Sequence, residues 1–258
     1  MVWKRRVNAL LSGTTGYQIV RADRVHASRP KARRRLPRHY DDEARETIRA
    51  VRARTMTAHE KLFALIVATR YLANHGIDGA FVECGVWRGG SMQAIARTLL
   101  ASGVADRDLH LYDTFEGMPP PGKEDRRRDG KPAAEVLETS PRTSNVWAIA
   151  GLDDVRAGMA ETGYPMERVD FHPGLVEDTI PAQAPERIAL LRLDTDWYAS
   201  TRHELEHLYD RVPRGGVIVF DDYGFWEGAR QAVDEFLAVR GEPLLLVPMA
   251  SGRIAVKT

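Results

Sequence analysis

Leu193-Asp194-Thr195-Asp196 closes the apolar run Ile188 to Leu193, and 27 residues on, Phe220-Asp221-Asp222 closes a second run, Gly216 to Phe220. Short apolar runs of this kind read as buried parallel strands, and the segment between them reads as a helix. Neighbouring parallel strands would aim three or four carboxylates at one spot beyond their carboxyl ends, where open α/β sheets bind ligands. Unpaired carboxylates crowded together repel, so a hard divalent cation such as Mg2+ is their natural partner. Capping of the helices that follow is the alternative use of the same acids.

Outward from these tips, strand-like and helix-like segments alternate: Ala80 to Cys84, Ser91 to Ala101, Leu109 to Asp113, Asp153 to Thr162, Val169 to His172, and Thr201 to Arg211 between the acid-tipped strands. This order predicts an α/β fold, a doubly wound and mostly parallel sheet. Upstream, Tyr40 to Glu46 opens one helix and Thr57 to Asn74 forms another, with Thr57 and Glu60 at capping-box spacing. Downstream, a helix over Glu227 to Val239 precedes Pro243 to Val247 and Arg253 to Val256, a candidate antiparallel hairpin at the sheet edge. Pro119 to Asn145, rich in Pro, charge and Ser/Thr, breaks the rhythm and reads as a substrate lid or a mobile insertion, with Lys123 to Lys131 largely solvated.

A chain of 258 residues with 43% hydrophobic content suits one large domain with an extension. Its single cysteine, Cys84, excludes an intramolecular disulfide and a cysteine-built zinc site, and a cytoplasmic location is the default expectation. The net charge of +1 hides an asymmetry, since residues 1–38 hold eleven Lys or Arg and one acid while the remainder carries 26 basic and 35 acidic side chains. In that basic arm Trp3, Val7, Leu10 and Leu11 fall at helical spacing beside Lys4, Arg5 and Arg6, which allows contact with an anionic membrane, although such an arm is more often a solvated tail or packs on a partner subunit. Nucleic-acid binding is not expected, because no aromatic residues interleave the basic ones in a recognisable module.

The first strand runs into Glu83-Cys84-Gly85-Val86-Trp87-Arg88-Gly89-Gly90-Ser91. The glycines allow a tight turn against a ligand, and the acid can accept hydrogen bonds from an amine or hydroxyls. Trp87 stands where a dinucleotide motif has its second glycine, so a cationic amino-acid moiety fits better than a pyrophosphate. Asp113, at the tip of the second strand, can accept both hydroxyls of a ribose. Glu83, Gly85 and Asp113 together describe a nucleoside joined to an amino acid, which is S-adenosylmethionine.

The chain resembles the metal-dependent class I O-methyltransferases that act on sugar hydroxyls, typified by the macrocin, mycinamicin and novobiocin-pathway enzymes. The resemblance lies in Val51-Arg52 with Thr55-Met56-Thr57, Val82 to Ser91, Tyr112 to Met118, Pro173-Gly174 with Asp178 to Pro181, Leu193 to Tyr198 with Ser200-Thr201, and Asp221-Asp222-Tyr223. It spans about residues 40–236 and uses no part of the arm. It implies a Rossmann-like methyltransferase domain over residues 39–258, with residues 39–75 as a helical lid. Glu83, Gly85, Ser91, Asp113 and Gly174 would hold the cofactor, Thr55 and Met56 would close over its methionine end, and Asp194, Asp221 and Asp222 would ligate Mg2+. A homodimer is expected by the same analogy.

The implied acceptor is a glycoside or oligosaccharide hydroxyl, with Asp194 taking the proton and Asp196, then His172, as later choices. A catechol or other diol is the nearest alternative acceptor, since any vicinal oxygen pair can chelate a metal. Two readings come from other classes: a non-catalytic binding module, and a zinc peptidase. The latter rests on His203-Glu204-Leu205-Glu206-His207, which matches the helix-borne zinc motif. Its helix, however, is a crossover whose charged side should face solvent. Trp197, Tyr198, Tyr223 and Trp226 follow the acid tips and could wall a sugar ring or pack in the core.

Overall fold

The first described helix starts where the charge pattern turns acidic. Helix α1, Asp42–Val51, starts on Asp41, whose side chain accepts from the Ala44 amide at 2.9 Å, and Asp42 and Glu43 in its first turn suit the helix dipole. The computed structural model describes residues 36–258, so the helical reading of Trp3 to Leu11 lies outside the described residues. Helix α2, His59–Asn74, follows a turn at residues 52–58. Its cap is Ala58, with no side-chain cap bond. The capping box expected at Thr57 does not form, because the Thr57 hydroxyl is taken by Arg192 and Ser91 instead.

Five parallel strands then alternate with helices. They are β1 Ala80–Cys84, α3 Gly90–Ala101, β2 Leu109–Asp113, α4 Ala133–Glu138, α5 Leu152–Ala160, β3 Val169–Pro173, α6 Val176–Thr179, β4 Ile188–Leu193, α7 Tyr198–Leu208 and β5 Val217–Phe220. Helix α8, Glu227–Arg240, ends on Gly241 with φ +64°, the left-handed cap that glycine adopts most readily. Strands β6 Val247–Met249 and β7 Gly252–Val256 finish the sheet. The hairpin is antiparallel as expected, with β7 inserted against β5 and β6 left at the edge.

The sheet order is β3-β2-β1-β4-β5-β7-β6. Successive strands run outward from β1 in one direction and from β4 in the other, so the topological switch lies between β1 and β4, the place where open α/β sheets carry their ligands. Strands β1 and β4 are buried along their whole length. Helices α1, α2, α3 and α5 pack together in one layer, and α6, α7 and α8 in the other. One core joins Val82, Leu191, Leu193 and Ile218 to Leu205, Leu208 and Phe236 on the α7–α8 side. Among the described residues no helix is long and apolar enough to cross a membrane.

Residues 119–148 form a docked structure. Trp197 Nε1 donates to the Pro119 carbonyl at 3.0 Å, the Arg128 amide to Phe225 at 3.0 Å, and the Glu227 amide to Arg126 at 2.8 Å. Asp125, only 2% exposed in the segment expected to be solvated, accepts from the Tyr198 and Gly122 amides at 2.8 and 2.7 Å. It thereby satisfies a free N–H at the start of α7. A small second core of Ala133, Leu137, Trp197, Trp226 and Ala229 seals the contact.

Candidate active site

The tips of β1, β2, β4 and β5 and the turn after β3 frame a cavity of ≈ 440 Å³. Each tip turns sharply. Trp87, Phe115 and Asp196, none of them glycine, have φ of 47°, 55° and 68°. Such backbone costs on the order of 1–3 kcal/mol per residue and persists only where neighbours hold it. Asp113 supplies part of that hold, accepting from Val86 and Trp87 at 2.7 and 3.0 Å and from Phe115 at 2.7 Å. Burial raises its pKa against the pull of those three amides. One carboxylate thus ties together the turns after β1 and β2.

Gly85 is indispensable for a different reason. Its φ is +84°, and a β-carbon there would lie 2.1 Å from the Asp194 carbonyl oxygen. The Asp194 amide also donates to the Cys84 carbonyl at 2.8 Å. The expected cofactor turn and the expected metal strand therefore touch through main chain. At Gly90 the amide donates to the Arg54 carbonyl at 2.9 Å, and a β-carbon would stand 2.6 Å from that oxygen, so the residue 54–57 turn lies directly on the start of α3.

Of the residues expected to hold cofactor or metal, Met56, Gly85, Asp113, Gly174, Asp194, Asp221 and Asp222 line the cavity. Thr55, Glu83 and Ser91 stand behind it. The Thr55 hydroxyl accepts from the Thr57 amide at 3.0 Å, and the Ser91 hydroxyl bonds that of Thr57 at 3.3 Å. Glu83 pairs with Arg192. Burial raises the Glu83 pKa to about 7, against that pull.

One ligand oxygen from each of Asp194, Asp221 and Asp222 falls within 4.8 Å of the others, the only such group of His, Cys, Asp and Glu among the described residues. These acids are not the unpaired set expected above. Arg192, 1% exposed, reaches Asp194 Oδ2 and Asp221 Oδ1 at 2.7 Å each and Thr57 Oγ1 at 3.1 Å, besides Glu83. Lys61 Nζ pairs with the other Asp221 oxygen and donates to the Asp221 carbonyl at 2.8 Å. Burial opposes ionisation of Asp221, yet Arg192 and Lys61 hold its pKa down to about 2. Burial, with repulsion from Asp221 and Asp222, pushes Asp194 well up against the pull of Arg192. Burial and the Asp194 charge push Asp196 up to about 7.

Arg192 and Lys61 bring two positive charges to five carboxylates, those of Glu83, Asp194, Asp196, Asp221 and Asp222. Asp222 Oδ2 remains buried with no hydrogen-bond partner. A surplus of carboxylates over cations, clustered oxygen ligands and an orphaned carboxylate oxygen fit a hard divalent cation.

The profile of the macrocin O-methyltransferase family (TylF) matches residues 7–249. The chain belongs to this family. The match extends into the basic arm, beyond the stretch on which the resemblance rested. Two relatives are 8-demethyl-8-(2,3-dimethoxy-alpha-L-rhamnosyl)-tetracenomycin-C 4'-O-methyltransferase of Streptomyces olivaceus and demethyldecarbamoylnovobiocin O-methyltransferase of Streptomyces niveus. The first is 34% identical over 184 residues, 71% of this chain and 67% of that one. The second is 32% identical over 206 residues, 78% and 76% of the two chains. The solved structure of the O-methyltransferase NovP superposes with a TM-score of 0.69 at 29% identity, over 80% of this chain and 82% of that one. As a member of the macrocin O-methyltransferase family, the chain is an S-adenosylmethionine-dependent O-methyltransferase with a class I Rossmann-like fold.

The zinc-like motif of α7 lies apart from this chemistry. The His203 and His207 rings lie tilted at 58° with centroids 4.4 Å apart, and His203 Nε2 bonds the Ile180 carbonyl at 2.9 Å. Glu204, expected on a solvated side, is fully buried with both carboxyl oxygens unpartnered, and burial pushes its pKa well up, favouring the neutral acid. No third ligand completes a histidine site among the described residues. Of the aromatics after the acid tips, Trp226 reaches both the cavity and the second core, whereas Trp197 serves the core.

Proposed function

We propose that this macrocin O-methyltransferase family member transfers the methyl group of S-adenosylmethionine to a sugar hydroxyl of a glycoside, in a Mg2+-dependent reaction. The observation that carries the reading is the convergence of Asp194, Asp221 and Asp222 on the floor of the cavity that Gly85 and Asp113 also line. Relatives support the acceptor class, one acting on a rhamnosyl-tetracenomycin and another on a novobiocin precursor. Bound to the three acids, Mg2+ would supply the charge that makes a nearby hydroxyl easier to deprotonate.

The chain's own residues do the remainder. Gly85 and Gly174 let main chain approach the donor. Asp113 spends its oxygens on the turns that shape the donor pocket, and Met56 borders its open side. Glu83, Ser91 and Thr55 act through Arg192 and Thr57, keeping the residue 54–57 turn against α3. Asp194 takes the hydroxyl proton. Asp196 is the second candidate, because it lines the cavity and neither Arg192 nor Lys61 is paired with it. Sulfonium charge disappears in the transfer, so a water-poor pocket favours it.

The test is methyl transfer from labelled donor to a panel of glycosides and catechols, with and without chelator. The reading requires turnover on a glycoside, loss of that turnover on chelation and its return with Mg2+. Asp194→Ala should abolish turnover and spare much of the donor affinity. Preferential methylation of catechols, or turnover indifferent to chelation, would overturn it.

A further inference from the structure

Lys61 sits in the first turn of α2 with its side chain 7% exposed, and it borders the cavity. Its ammonium pairs with Asp221 Oδ2 and donates to the Asp221 carbonyl at 2.8 Å. Arg192 Nη2 holds Asp221 Oδ1 at 2.7 Å. Both carboxyl oxygens of Asp221 thus already face a cation belonging to the protein. The two cations differ in how firmly they are placed. Arg192 is anchored by Glu83, Asp194, Asp221 and Thr57 at once, out of reach of the cavity. Lys61 has Asp221 alone as its bonded partner, on a flexible stem beside open space.

A metal ion and an ammonium repel strongly at such range, and both draw on the charge of the same carboxylate oxygen. Resting on the metal reading above, we propose that Mg2+ enters this site by exchange with Lys61. The ammonium leaves Asp221 Oδ2 as the divalent cation takes it, and Arg192 stays in place throughout. Lys61 is then a positioning residue, holding the Asp221 carboxylate in its ligating direction before the metal arrives. It also sets the Mg2+ affinity of the site, because each binding event must displace it. The bond to the Asp221 carbonyl can persist, which keeps the released ammonium beside the acceptor end of the cavity.

Titration calorimetry of Mg2+ into the full chain tests this, using wild type, Lys61→Met and Lys61→Arg. Removal of the competing charge should tighten Mg2+ binding by about tenfold or more in Lys61→Met. Lys61→Arg, which keeps the charge, should not show that gain. Binding of S-adenosylhomocysteine should be the same in all three, which also reports that each variant is folded. Equal or weaker Mg2+ binding in Lys61→Met, with wild type still binding, overturns the exchange and leaves the metal reading standing. Absence of binding in both overturns the metal reading and the exchange with it.

A second measurement needs no variant. Acetylation of wild type by a water-soluble amine reagent, read by peptide mass spectrometry, should rise several-fold at Lys61 on addition of Mg2+, while Lys123 and Lys131 stay constant. Unchanged or reduced labelling of Lys61 while Mg2+ binds contradicts displacement.

Discussion

The crest of strand tips and the docked loop at residues 119–148 face each other across one cavity, and they are held by different means. The crest is fixed by main chain and buried charge: Gly85 against Asp194, Asp113 across two turns, and Arg192 among three carboxylates. The loop is fixed at a few anchors, chiefly Asp125, the bonds at Pro119, Arg126 and Arg128, and a small tryptophan-centred core. At the crest a change at Gly85, Asp113 or Arg192 disturbs more than one strand tip at once. In the loop, the positions between anchors carry fewer such contacts, and Pro119, Asn145, Val146 and Ala148 line the cavity itself.

Two glycines with the same backbone angle break the comparison open. Gly85 and Gly130 both have φ +84°, but a β-carbon at Gly130 meets nothing within 4 Å. Gly85→Ala should cost about 4 kcal/mol or more and abolish donor binding, because a backbone carbonyl cannot step aside. Gly130→Ala should cost only about 1 kcal/mol, the left-handed strain alone. Urea unfolding of both variants reads the difference, and equal costs would mean that the crest is softer than its geometry. Arg192→Met comes next, at about 3–5 kcal/mol, since it leaves buried carboxylates unpaired. Midpoints in the same urea series measure it.

Asp125→Ala should cost about 1–2 kcal/mol through the lost bonds to Tyr198 and Gly122. It should raise the acceptor KM while leaving the donor Kd unchanged, which steady-state kinetics beside calorimetry would show. A shift in donor Kd would mean that loop and crest are coupled. The smallest effect concerns Asp154 on α5, which pairs with Arg88 at 2.8 Å and Arg54 at 2.6 Å. Hydrogen bonding from Arg88, joined by Arg54, lowers its pKa to about 2. A depressed carboxylate contributes stability above its unfolded pKa near ~3.9, and that contribution is lost as pH falls through the folded value. Melting temperature should therefore fall between about pH 4 and 2, less steeply in Asp154→Asn.

The crest was largely readable in sequence because strand burial and strand-tip chemistry are both local signals. A buried parallel strand must be a short apolar run, and its acid tip must point beyond the sheet. Arg192 escaped that reading although it lies inside one such run. A charge within a buried strand has to be paired, and asking with what would have pointed to the acids of the neighbouring strands. Lys61 offered a similar signal, standing one turn before Leu65 on the buried stripe of α2. The α7 crossover reads as charged side out, yet Glu204 falls on its buried stripe beside Leu205 and Leu208, a placement set by packing on the sheet that residue type does not encode. The loop stayed illegible because its order depends on contacts such as Asp125 with Tyr198, 73 residues apart, which local composition does not encode.

The meeting of Gly85 with the Asp194 carbonyl has one more consequence. The spacing between the turn after β1 and the acid tip of β4 is set by main-chain contact, which any chimera that keeps both strands would inherit. Grafting residues 119–148 from a relative should therefore leave the separation of Gly85 and Asp194 as it is.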